Sequence, residues 1–196
     1  MAKTTVRGLP VGIGIVGDAP AEAVMIGTFA SEPGIRYAQE RIARGAARAG
    51  RDPRAVPLIS WLYVAVDADP GAARGRVKRG LATAIFGSRG VLDQIGIRLP
   101  PALADLLGQF DYDVLADPAT ARRVMGLIPD DLVGHLAVAG TVDDVAEQLA
   151  GIARLGVGEL AIWPFPPDGT DWEHEIVPLA EEVMPRVQRA LEAQGA

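Results

Sequence analysis

The chain contains no cysteine. That excludes a disulfide framework, a thiolate metal site and a cysteine nucleophile, and a cytoplasmic location fits it best. Long apolar runs are missing as well: charges or turn residues interrupt every candidate before the roughly 18 residues of a membrane span. The opening Met-Ala-Lys-Thr-Thr-Val-Arg leads into no apolar core with a small-residue cleavage site, so no signal peptide is expected. Positive charge is in short supply, with 19 Lys and Arg against 25 Asp and Glu, a net charge of −6. This argues against a nucleic-acid partner. Arg36, Arg41, Arg44 and Arg48 recur at helical spacing and read as a solvated helix face, with a phosphate-binding stripe as the alternative. There are two histidines, His135 and His174, and neither sits in a metal-ligand spacing, so no metal is expected.

What is present is a chain of 196 residues, 49% hydrophobic, long enough for one domain with a real core. Val11–Val16 reads as a short strand weakened by Gly12 and Gly14. Ala23–Gly27 is a second apolar run of strand length. Ser31 can then cap a helix with Pro33 in its first turn and Ile35, Ala38, Ile42, Ala46 and Ala49 on one face, stopped by Gly50. Leu58–Val66 is apolar on both faces, which suits a parallel strand covered by helices on one or both sides. Asp69-Pro70 opens another helix. From Gly87 to Leu136 the pattern is helical without strand signals, broken at Pro100-Pro101, Pro118 and Pro129, and residues 87–136 read as a helical insertion. Thr141-Val-Asp-Asp144 has the form of a capping box, followed by an amphipathic helix and the strand Glu159–Phe165. A last helix spans about Glu175 to Ala193, bent at Pro185. Strands alternating with helices imply a mainly parallel sheet with right-handed crossovers, and residues 1–196 form a single α/β domain with four strands.

Three stretches stand out: Ala23-Val-Met-Ile-Gly-Thr-Phe-Ala-Ser31 with Gly34-Ile-Arg-Tyr-Ala and Ala49-Gly-Arg-Asp-Pro53; Leu58–Val66 with Asp67-Ala-Asp-Pro70; and Ala137-Val-Ala-Gly-Thr141 with Gly156-Val-Gly-Glu-Leu160. Together they resemble the luciferase-like superfamily of flavin- and F420-dependent oxidoreductases, and its methylenetetrahydromethanopterin reductase-like branch in particular. The resemblance implies a (β/α)8 TIM barrel. It covers only the C-terminal half, a partial barrel of about four parallel strands with extra short helices, in which Leu58–Val66 and Glu159–Phe165 are the seventh and eighth strands. A complete barrel takes about 250 residues.

Carried over by position, the resemblance implies that Gly17, Gly27, Thr28 and Ser31 hold the phosphate of an F420 or FMN cofactor. The physics is compatible, because glycine lets the backbone approach closely and a helix start attracts an anion. The plainer reading is that Gly17 and Gly27 turn the chain and Ser31 only caps. The charges of Asp171-Trp-Glu-His-Glu175 read as a helix start. The aromatics of Trp163-Pro-Phe-Pro-Pro167 either wall a flavin ring or pack beneath the last helix. No catalytic residue is identified. The implied activity is hydride transfer or monooxygenation on an unknown small molecule, by a truncated oxidoreductase. The alternative is a non-catalytic half-barrel that binds a flavin or assembles as a homodimer, covering its apolar inner face and open edges.

Overall fold

A computed structural model describes residues 22–109 and 117–193. The expected strand Val11–Val16 and Gly17 lie outside the described residues. Within them the sheet has four parallel strands: β1 (Val24–Gly27), β2 (Leu58–Val66), β3 (Val138–Gly140) and β4 (Glu159–Pro164). β2 is the axis. β1 pairs with its first half (Val24 opposite Leu58, Gly27 opposite Trp61). β4 pairs with its other edge from Ile59 to Val64. β3 adds a short pairing at the C-terminal end, Val64 to Val66. The odd residues of β2 serve the β1 and β3 edge, since Thr28 N donates to Trp61 O and Asp67 N to Gly140 O, both at 2.9 Å. β3 therefore continues the edge that β1 begins, and β1–β2–β4 run side by side as successive barrel strands do.

Helices cover both faces of this sheet. Leu58, Ser60, Leu62 and Val64 alternate with half-buried Ile59, Trp61 and Tyr63 and form the fully buried face. α1 (Glu32–Arg48) and α6 (Val142–Arg154) lie on that side. Gln39 of α1 donates to the Leu155 carbonyl behind α6 at 2.5 Å, and Ile42 shares a recess with Val56 and Leu58. The right-handed rule for parallel crossovers puts both helices there. α6 starts on the expected capping box: Asp144 N donates to Thr141 Oγ1, and Thr141 N to the Asp144 carboxylate.

The second face carries Trp61, Tyr63, Trp163 and Phe165 and is met by α2 (Pro70–Gln94). α2 begins at Asp69, whose carboxylate caps Gly71 N at 2.9 Å. It passes Tyr63 and Phe165 at Gly80 and reaches α1 at Gln94, whose amide oxygen accepts from Tyr37 and Arg41. Gly87 and Gly90 do not interrupt it. α3 (Pro101–Gly108), α4 (Pro118–Leu127) and α5 (Asp130–Leu136) begin at the proline breaks and bury Leu103, Leu107, Val124, Leu132 and Leu136 in the same core. The terminal helix is α7 (Glu173–Pro178), a π turn over Leu179–Val183 and α8 (Met184–Glu192). Pro185 has no N–H to give, and its ring crowds the Glu181 carbonyl. A π turn stands just before it.

Cover of the second face is incomplete. Met25 is 57% exposed and Trp163 45%. Trp163 meets Trp61 and Trp172 edge-on, at 5.7 and 5.8 Å between ring centres. Phe165 lies edge-on to Tyr63 at 5.1 Å and against Gly80 of α2.

The approach of α2 depends on Gly80. A Cβ there would fall 2.5 Å from Phe165 Cζ and 2.8 Å from Tyr63 Cε2, whereas a Cβ at Gly75 of the same helix meets nothing within 4 Å. Overpacking costs about 1–3 kcal/mol, and Gly to Ala in an open helix position gains about 0.5–1 kcal/mol. Urea unfolding should therefore find Gly80→Ala destabilised by about 1–2 kcal/mol and Gly75→Ala stabilised. Equal effects of the two variants would contradict this packing.

Candidate functional site

Two clusters occupy the C-terminal ends of the strands. The first is the loop from β1 to α1. Gly27 is extended within β1, so the turn falls on Thr28, which has φ 57° although it is β-branched. That conformation is costly for a branched residue, of order 1–3 kcal/mol, and strain of this kind gathers at functional positions. Three bonds hold the loop: Thr28 N to Trp61 O at 2.9 Å, Ser60 Oγ to Phe29 O at 3.4 Å, and Ala30 N to His135 O at 2.9 Å. Thr28 is 3% exposed, and its Oγ1 has no hydrogen-bond partner. Ser31 Oγ is likewise buried and unpaired.

Ser31 occupies the N-cap position of α1, but its side chain makes no capping bond. The expectation that it caps is therefore corrected. The first-turn N–H groups of α1 are left without a side-chain partner. Glu32, the one acid in that turn, is drawn outward to Arg36 at 2.8 Å. Of the four residues expected at a phosphate, Gly27, Thr28 and Ser31 thus share one loop, and Gly17 lies outside the described residues. The loop offers hydroxyls and free amides and no inward carboxylate, a set that suits an anion.

The second cluster joins β2 to β4. Arg76 of α2 donates to Val66 O at 2.7 Å and Phe165 O at 2.8 Å, and to the Asp67 carboxylate at 2.5 Å. It also lies 3.4 Å from the Glu175 carboxylate. Glu175 in turn accepts from Val66 N and is 1% exposed. It is no solvated helix-start carboxylate, contrary to the sequence expectation; Asp171 plays that part, accepting from His174 N at 3.3 Å. Sequence reasoning missed this cluster because Arg76 and Glu175 belong to separate helices and share no motif.

Burial raises the Glu175 carboxyl to about 7, against the opposing pull of Val66 N–H and the Arg76 guanidinium. The hydrogen bond from Asp69 N and the one from Arg76 hold Asp67 below the usual carboxylate range. Unfolded, Glu175 loses its proton near 4.5; folded, it keeps it to about 7. The folded chain binds more protons in that window, so stability falls as pH rises through it. Unfolding free energy should be greater at about pH 5.5 than at about pH 8, by at most about 3 kcal/mol from this group. Glu175→Gln should flatten that slope in urea titrations. An unchanged slope would contradict the assignment.

Among the described residues no group of three or more His, Asp or Glu could hold a metal ion, and no helix is long and apolar enough to cross a membrane. The 5,10-methylenetetrahydromethanopterin reductase of Methanolobus tindarius is 27% identical over 148 residues, 75% of this chain and 43% of that protein. The Methanopyrus kandleri enzyme of the same name is 26% identical over 169 residues, 84% of this chain and 45% of that protein. The solved coenzyme F420-dependent tetrahydromethanopterin reductase from Methanopyrus kandleri superposes with a TM-score of 0.66 at 22% identity, over 86% of this chain and 46% of that one. An F420-dependent secondary alcohol dehydrogenase in complex with an F420-acetone adduct gives 0.55 at 17% identity, over 87% and 43%. The chain thus spans less than half the length of these relatives, and its fold is part of their TIM barrel. A family model described as luciferase-like monooxygenase matches residues 19–159, and the chain belongs to that family.

Proposed function

We propose that this chain is the cofactor-holding portion of a luciferase-like oxidoreductase that takes F420 or FMN and acts on a small molecule. The observation that carries the reading is the pair of buried, unpartnered hydroxyls on Thr28 and Ser31, at the C-terminal end of a barrel strand and beside an uncapped helix start. Barrel enzymes place their sites at that end. The names of the reductase relatives and the F420-bound alcohol dehydrogenase support F420. FMN shares the phosphate that this loop would engage.

The redox chemistry, hydride transfer or monooxygenation, belongs to the cofactor when bound. The chain's own part is to anchor and orient. Thr28 and Ser31 would donate hydroxyl hydrogens to phosphate oxygens, and the N–H groups at the start of α1 would add to them. Trp61, Tyr63 and Trp163 form a half-exposed aromatic surface on the neighbouring strands, on which a planar ring can stack. The absence of cysteine supports a reducing, cytoplasmic setting.

Titration with F420 and FMN, followed by their fluorescence, tests the reading; neither binding at high micromolar concentration would sink it. Ser31→Ala separates binding from capping. Loss of a working cap costs about 1 kcal/mol. Because the Ser31 side chain makes no cap bond and its hydroxyl is buried unpaired, the ligand-free variant should be at least as stable as the parent. Its dissociation constant for the bound cofactor should rise about tenfold or more. Lost stability with unchanged binding would restore the capping role.

A second reading is a non-catalytic half-barrel that pairs with another copy. Its support is the exposed apolar surface of Met25, Trp163 and Trp172. Phe165 N donates to Val64 O, so the even residues of β4 address its other edge, where Pro164 has no N–H and Leu160 and Ile162 do. Light scattering at micromolar concentration should then give a dimer mass; a monomer rejects the pairing.

A further inference from the structure

His135, which carries no role in the family resemblance, stands beside the same loop. It is the penultimate residue of α5, and its carbonyl accepts Ala30 N at 2.9 Å, next to Ser31. Its Nδ1 is buried with no hydrogen-bond partner, as are Thr28 Oγ1 and Ser31 Oγ. These three are the buried side-chain polar atoms left unpaired among the described residues, and one loop and the helix end bonded to it supply them all. Each such atom costs about 1–3 kcal/mol unless something meets it. Three of them on one loop and on the helix end bonded to it call for a common partner.

The chemistry narrows what that partner is. Two hydroxyls and an imidazole N–H can all donate, and the amides of the uncapped α1 start donate too. The nearby carboxylates are engaged elsewhere. Glu32 pairs with Arg36, Asp130 with Arg74 and Lys78, and Asp131 accepts from Leu132 N. A group with several acceptor oxygens and negative charge satisfies the set, and an apolar or cationic group does not.

We propose that His135 is a third binding residue for a phosphate group seated between the β1–α1 loop and the end of α5, its Nδ1 donating alongside Thr28 Oγ1 and Ser31 Oγ. This rests on the reading of that loop as the cofactor phosphate site and adds to it a contact from the helical insertion. The insertion therefore does more than cover the open sheet: it completes the ligand seat. His135 binds and positions; it takes no part in bond making.

The test uses the whole chain, with His135→Ala, His135→Asn and His135→Gln. Asn places an amide nitrogen where Nδ1 lies, and Gln reaches the position of Nε2 instead. The dissociation constant for whichever of F420 and FMN the parent binds should rise about tenfold or more in His135→Ala, recover in His135→Asn and stay weak in His135→Gln. Inorganic phosphate should shift the imidazole Nδ1 resonance of 15N-histidine-labelled parent protein, with His174 as the internal control. Parent-like affinity in His135→Ala, or equal rescue by Gln and Asn, overturns the proposal. If the parent binds neither cofactor, the oxidoreductase reading fails on its own, and the phosphate-induced Nδ1 shift still decides the role of His135. An unmoved resonance then overturns it, and so does a shift shared equally by His174. Should His135→Ala not fold, the Asn and Gln pair and the resonance carry the decision.

Discussion

One guanidinium ties the working end of this fold together. Arg76 contacts the last carbonyl of β2, the first carbonyl past β4 and the carboxylates of Asp67 and Glu175 at once. In a closed barrel, neighbouring strands hold the rim on every side. Here the described sheet is open, and the ends of β2 and β4 are fastened from α2 instead. A planar group with five fixed donors suits that task, and a lysine could not reproduce the geometry. The arrangement also explains why Glu175 tolerates burial. Val66 N and Arg76 both meet its carboxylate, and its raised pKa lets it hold a proton when desolvation outweighs them.

The same helix solves the second difficulty of a partial barrel, an apolar inner face. α2 crosses that face, close enough for Tyr63 and Phe165 to lie against Gly80, and hands its far end to α1 through Gln94. Rim and inner face therefore depend on one element. What α2 leaves open is the aromatic strip around Trp163 and Trp172, and that strip adjoins the strand ends where a ligand would sit.

Much of this was legible in the sequence. β1, β2 and β4 fell where apolar runs of strand length predict them, and the proline breaks marked the starts of α3, α4 and α5. The capping box at Thr141 held because its reciprocal bonds are local, fixed by residues three apart. β3 was not legible: Val138–Gly140 is three residues long and buried throughout, so it has neither alternation nor length to distinguish it from the end of α5. α2 ran past Gly87 because packing on its buried side outweighs the helix propensity of single glycines. At Pro185 the sequence predicts a bend; what stands there is a π turn over Leu179–Val183, with Leu179 and Val183 buried.

The site divides in the same way. Thr28 and Ser31 could be named because a family pattern marks their loop. Nothing local distinguishes a serine that caps from one whose hydroxyl is left for a ligand; the difference lies in a bond that is not made. His135 and the Arg76–Glu175 pair are products of long-range packing. On the proposal made above, the β1–α1 loop and the end of α5 form one anion seat. Hydrogen–deuterium exchange with and without the bound cofactor tests it most directly. Protection is expected together at the amides of residues 28–35 and 130–137. Protection confined to the opposite end of the strands, around residues 156–160, or absent despite measured binding, would contradict it.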